Sequence, residues 1–143
     1  MTKVAQVLQD KSAQTIFTIR PDSTVFEAIT LMADKGIGAL VVTEDDRVVG
    51  IVSERDYTRK VALMERKSFT TNVSEIMTAT VLTVTTSTSV EDCLELMTVR
   101  HLRHLPVVEN ERLIGLISIG DLVKAAMADQ KTLIDQLQQY ISG

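Results

Sequence analysis

The chain has 143 residues, 45% of them hydrophobic but only 3% aromatic, and a net charge of −4. That is enough apolar material for a real core, necessarily an aliphatic one, in one domain or two half-size units. An acidic balance argues against a nucleic-acid binder held by bulk positive charge, so any anion site must be a local basic cluster. The single cysteine, Cys93, excludes an intramolecular disulfide. Its neighbours Val90, Leu94 and Met97 mark it as a buried thiol rather than a reactive one. No apolar run approaches the ~18–20 residues of a membrane span. The opening MTKVAQVLQDKSAQ lacks the apolar stretch of a signal peptide, so a soluble, reduced, cytoplasmic protein is expected.

In chain order, Val4–Leu8 reads as a short leading helix. A β-type run, Ile16–Ile19, leads to the cap Asp22-Ser23-Thr24 and a helix over 25–35, with Glu27 in its first turn and Val25, Ala28, Ile29 and Met32 on one face. Strands Ala39–Thr43 and Val48–Ser53 follow, joined by the polar turn Glu44-Asp45-Asp46-Arg47, and a second helix starts after Ser53. After the linker Lys67–Thr71, a second short leading helix, Val73–Met77, begins the sequence again. Strand Val81–Val84 comes next, then the cap Thr88-Ser89 and a helix over 90–100 with Val90, Cys93, Leu94 and Met97 on one face. Strands Leu105–Val108 and Leu113–Ser118 flank Glu109-Asn110-Glu111-Arg112, and a helix starts after Ser118. The final Lys131–Gly143 carries Leu133, Ile134, Leu137 and Ile141 at helical spacing. This amphipathic helix has no counterpart earlier in the chain. It either caps the protein's own core or meets another subunit.

The two passes are a repeat. Gly50 and Gly115 stand 65 positions apart, as do Ser53 and Ser118, and Asp56 and Asp121. The register needs no gap from Thr15 to Asp56 and pairs Val25 with Val90, Met32 with Met97, Leu40 with Leu105 and Val42 with Val107. Two homologous halves, 1–68 and 69–143, each β-α-β-β-α, follow from it. Neither buries enough apolar surface to be comfortable alone. The expected architecture is α/β, or α+β, with the two repeats packed sheet to sheet about a pseudo-twofold axis.

The phrase Gly-aliphatic-aliphatic-Ser-x-x-Asp occurs in both halves, as GIVSERD (50–56) and GLISIGD (115–121). On its own, Ser-x-x-Asp at a strand-to-helix junction is a capping box. The same junction exposes backbone N–H groups suited to phosphate, beside a carboxylate able to accept ribose hydroxyls.

Together with Met77-Thr78, the run Thr18–Val25 (TIRPDSTV), the "LM" of each first helix and Leu105–Glu109 (LPVVE), these phrases resemble a tandem CBS-domain pair, or Bateman module. The resemblance covers nearly the whole chain. It implies a non-catalytic regulatory module that binds an adenine nucleotide, AMP, ADP, ATP or NAD, or an S-adenosylmethionine-type ligand, and that forms a homodimer and signals to a protein effector. It further implies two unlike sites. Site one would combine Ser53, Glu54, Arg55 and Asp56 with Thr78, Val81, Leu82, Arg103 and His104. There Asp56 would take ribose, the backbone near Val81 and Leu82 the adenine edge, and Arg55, Arg103 and His104 the phosphate. Site two would combine Ile16, Phe17, Gly38 and Ala39 with Ser118, Ile119, Gly120 and Asp121. It lacks the basic residues, so site one is expected to hold a nucleotide more tightly.

Arg59 and Lys60 read first as an exposed charged face, with reach toward a polyphosphate as the alternative. His101 and His104 with one thiol do not make a zinc set, and no metal is expected. No nucleophile–base set and no Walker A run stands in the chain, so no enzyme activity is expected. A ligand-free interaction module, in which Ser-x-x-Asp only caps, is the competing reading, and a nucleotide hydrolase a more distant one.

Overall fold

The computed structural model describes residues 2–11 and 16–142. Thr15, where the repeat register begins, and Gly143, the last residue of the expected terminal helix, lie outside the described residues. The elements are α1 (Val4–Asp10), β1 (Thr18–Ile19), α2 (Val25–Lys35), β2 (Ala39–Glu44), β3 (Arg47–Ser53), α3 (Glu54–Tyr57), a π-helical turn (Thr58–Ala62), α4 (Val73–Ile76), α5 (Val90–Arg100), β4 (His104–Glu109), β5 (Arg112–Ser118) and α6 (Ile119–Ser142). This is the mixed α/β fold with small sheets that the periodicity predicts.

The 65-residue register reappears in local geometry. Thr24 and Ser89 cap α2 and α5 by accepting from the backbone N–H of Glu27 and Asp92. Each helix ends in a left-handed residue, Gly36 in one and His101 in the other. The β2–β3 and β4–β5 turns also match: Asp45 and Asp46, like Asn110 and Glu111, all have positive φ. Two consecutive left-handed residues give the tight hairpin turn whose twist suits the strands.

First strands are shorter than the sequence predicts. Only Thr18–Ile19 pairs, in parallel, with Val41–Val42 of β2, and in the second repeat a single parallel bridge joins Val84 to Val107. The C-terminal region differs as well. Instead of a helix after Ser118 and a separate one from Lys131, α6 runs unbroken for 24 residues. Its stripe Leu133, Ile134, Leu137 and Ile141 stays exposed, so it is not part of the chain's own core.

Two compact bodies divide the chain. One comprises residues 15–82 with 110–113, the other the residues up to 14 with 83–109 and from 114 onward. They are not the contiguous halves of the sequence, because each leading helix joins the repeat it does not precede. Val4 donates its N–H to Thr88 at 2.9 Å and Val90 donates to Thr2 at 3.0 Å, so α1 belongs with the second repeat. Val73 donates to Ser23 and Val25 to Thr71, both at 2.8 Å, so α4 belongs with the first. Val4 and Val7 are buried in one body as Val73 and Ile76 are in the other. In the first body they complete a core of Ile19, Val25, Ala28, Met32, Leu40, Val42, Val52 and Val61. No helix among the described residues is long and apolar enough to cross a membrane.

Candidate functional site

Each Ser-x-x-Asp phrase turns from a strand into a helix, and in both the serine and aspartate close on one another. Ser53 Oγ accepts from the Asp56 N–H at 3.2 Å, and Asp56 Oδ2 accepts from the Ser53 N–H at 2.9 Å and its hydroxyl at 3.1 Å. Ser118 and Asp121 repeat the two backbone bonds at 2.9 and 3.2 Å. Both carboxylates are half-buried, with side-chain exposures of 15% for Asp56 and 24% for Asp121. The capping geometry is therefore real. It also sets a half-buried carboxylate at each corner.

Each carboxylate has gained a lysine that sequence reasoning did not assign to it. Lys60 Nζ lies 3.1 Å from Asp56 Oδ1 and donates to the carbonyl of Ile76 at 2.9 Å. Lys11 Nζ lies 2.9 Å from Asp121 Oδ2 and donates to the carbonyl of Leu116 at 2.8 Å. The Asp56–Lys60 spacing of four is a legible helical signal, although the charged run Arg59-Lys60 by itself predicts an exposed face. Nothing local pointed from Lys11 to Asp121, which are joined only because α1 packs with the second repeat.

The bodies divide the expected site residues. The first brings Ser53–Asp56 together with Thr78, which pairs with Ile51 through N–H···O bonds of 2.9 and 3.0 Å. Gly38 also belongs here: its carbonyl accepts from the Glu54 N–H at 3.0 Å, and Ala39 pairs with Ser53. Ile16, Phe17, Val81 and Leu82 are half-buried members of this body, while Glu54 and Arg55 are exposed. The second body holds Ser118–Asp121 with Arg103 and His104, the Arg103 carbonyl accepting from the Ile119 N–H at 2.9 Å. Ile119 and Gly120 are exposed there. The basic pair thus adjoins Asp121, and the glycine adjoins Asp56.

Electrostatics follow this placement. Burial pushes Asp121 upward, but the Ser118 bonds and the Lys11 ammonium outweigh it and hold the carboxyl below its usual range. Burial pushes the His104 imidazole below its ordinary 6.5, against the pull of Asp121 and with Lys11 and Arg103 adding to the push. Cys93 is buried and its thiol is raised to about 11 by burial and then by Asp92, which makes it unreactive. His101, a left-handed helix end, has a structural task.

The CBS-domain sequence profile matches residues 7–63 and again 73–128. The chain belongs to the CBS-domain family. This CBS pair is 39% identical over 127 residues to the CBS domain-containing protein CBSX3, mitochondrial, of Arabidopsis thaliana, covering 85% of this chain and 62% of the plant protein. It is similar to the solved structure of a protein with CBS domains from Burkholderia ambifaria MC40-6, at 55% identity and a TM-score of 0.85, covering 90% of this chain and 96% of that one. It also resembles CBSX2, solved in complex with AMP, at 28% identity and a TM-score of 0.72, covering 91% and 99% of the two chains.

His104 gives the CBS pair a pH signature. Because its folded pKa is depressed, the unfolded chain takes up more protons once the pH drops below the ordinary 6.5, and stability falls with it. A series of thermal melts between pH 7.5 and 5 should show Tm declining through the lower part of that range. His104→Gln should flatten part of that decline, whereas an unchanged slope would place its origin elsewhere.

Proposed function

We propose that this CBS pair is a non-catalytic sensor of an adenine nucleotide, AMP first among AMP, ADP, ATP and NAD, whose occupancy is read by a partner protein or by assembly. The observation that carries the reading is the twice-built Ser-x-x-Asp corner. Each sets a half-buried carboxylate at the start of a helix, in a chain similar to one crystallised with AMP. Asp56 and Asp121 are the ribose acceptors in this reading. Ser53 and Ser118 are placed near phosphate, and Arg55, Arg103 and His104 supply the basic groups. Arginine suits that task because its planar fork pairs with phosphate oxygens two at a time. A homodimer fits the exposed stripe of α6, which leaves Leu133, Ile134, Leu137 and Ile141 in water.

Thermal melts with AMP, ADP, ATP, NAD and S-adenosylmethionine test the reading. A ligand of the native state stabilises by about 2.7 kcal/mol at a hundred times its Kd. Asp56→Ala and Asp121→Ala should each weaken binding at its own corner by ~1–3 kcal/mol, the range for losing hydrogen bonds to a charged group. Flat melts for all five compounds would remove the sensor reading. They would favour a ligand-free interaction module, for which the complete capping box at Ser53 is the supporting observation.

A further inference from the structure

We propose that Lys60 is an internal competitor that closes the Asp56 carboxylate, and that the Asp121 corner is the one open to a ribose. The inference rests on the ribose-acceptor reading above and reverses the preference for the Ser53 corner that the basic residues of the sequence had favoured. A ribose diol engages a carboxylate through both oxygens, so the occupancy of each oxygen decides access. In Asp56 both are taken: Oδ2 by the Ser53 amide and hydroxyl, Oδ1 by Lys60. In Asp121 the Ser118 amide and Lys11 both converge on Oδ2, the Ser118 hydroxyl also faces the carboxylate, and no lysine reaches Oδ1 among the described residues.

The two lysines are not repeat equivalents. Lys60 corresponds to Ala125, 65 positions on, and Lys11 directly follows α1, ahead of the residues the 65-residue register covers. Each carboxylate has thus acquired its cation from a different element, with a different consequence. Lys11 shares Oδ2 with the Ser118 amide. Lys60 takes Oδ1, the oxygen that the Ser53 bonds leave. Its position is set by the π-helical turn Thr58–Ala62, a backbone irregularity often found where a side chain has a task. A displaced Lys60 would not be orphaned, since the Ile76 carbonyl already accepts from it. The lock can therefore open at small cost. Arg103 and His104 adjoin the open corner, where a phosphate attached to the ribose would meet them.

Titration calorimetry with adenosine and with AMP tests this. Adenosine isolates the ribose from any use of Lys60 by a phosphate. Asp121→Ala should remove the tighter binding event and Asp56→Ala should spare it. In the Asp121→Ala background, Lys60→Met should tighten adenosine about fivefold, the upper range for a partly exposed ion pair. Lys60→Arg, which keeps the charge, should not. The proposal is overturned if Lys60→Met leaves adenosine affinity unchanged while binding persists, or if Asp56→Ala alone abolishes the tighter event. If neither compound binds the unmodified protein, this inference is overturned, whereas the sensor reading falls only if the melts with ADP, ATP, NAD and S-adenosylmethionine are flat as well.

Discussion

Met32→Ala is expected to destabilise the protein by ~2–5 kcal/mol, the range for emptying a buried methionine site. Met32 is 2% exposed and packs in the core of the first body with Val25, Ala28, Leu40 and Val52. The fully buried neighbours are aliphatic, while Phe17, Tyr57 and Met77 pack against the same core from its half-buried edge. Met97, its repeat equivalent, is also 2% exposed, and Met97→Ala should cost a similar amount. Met32→Leu conserves volume and should cost under about 1.5 kcal/mol. Urea denaturation of the three variants checks this. Near-neutral alanine variants would mean that the buried helix faces are not what holds the repeats together.

Gly50→Ala comes second, at ~1–3 kcal/mol for inserting a methyl where there is no room. A Cβ on Gly50 would lie 2.5 Å from Met77 Sδ and 3.1 Å from the carbonyl oxygen of Thr78. The sulfur can move. The carbonyl cannot easily do so, because it accepts the Ile51 N–H at 3.0 Å. For Gly115, the equivalent residue, the nearest atoms belong to Leu8, whose Cδ2 would be 2.6 Å away at the end of a rotatable side chain. Gly115→Ala should therefore cost less than Gly50→Ala, even though both glycines begin the same phrase. Paired Tm measurements decide it, and the reverse order would contradict the packing of Thr78 against β3.

The contrast between these glycines shows what was legible in the sequence. The 65-residue register located both, and it also fixed the buried helix faces and the hairpins, since periodicity and turn residues are local signals. The caps at Thr24 and Ser89 were legible for the same reason. What the register could not reach was which repeat each leading helix serves. Val4–Asp10 and Val73–Ile76 look alike and stand just before their own repeats, and only tertiary packing sends each across. That exchange is why Lys11 reached Asp121 unannounced. The first strands were overestimated because β-branched runs such as Val81–Val84 carry strand propensity without a neighbour to pair along their length.

The crossed leading helices also impose a timetable on synthesis. Residues 4–10 leave the ribosome well before their docking partners Thr86, Thr88 and Gly115, which come roughly 80 to 110 residues later, a delay on the order of 4–20 seconds at usual elongation rates. The first repeat has a shorter wait, because α4 follows it directly and can close it while the second repeat is still being made. The nascent chain therefore carries an unsatisfied apolar helix until the second repeat emerges. Val4 and Val7 of that helix are the residues a holdase chaperone would meet during that interval.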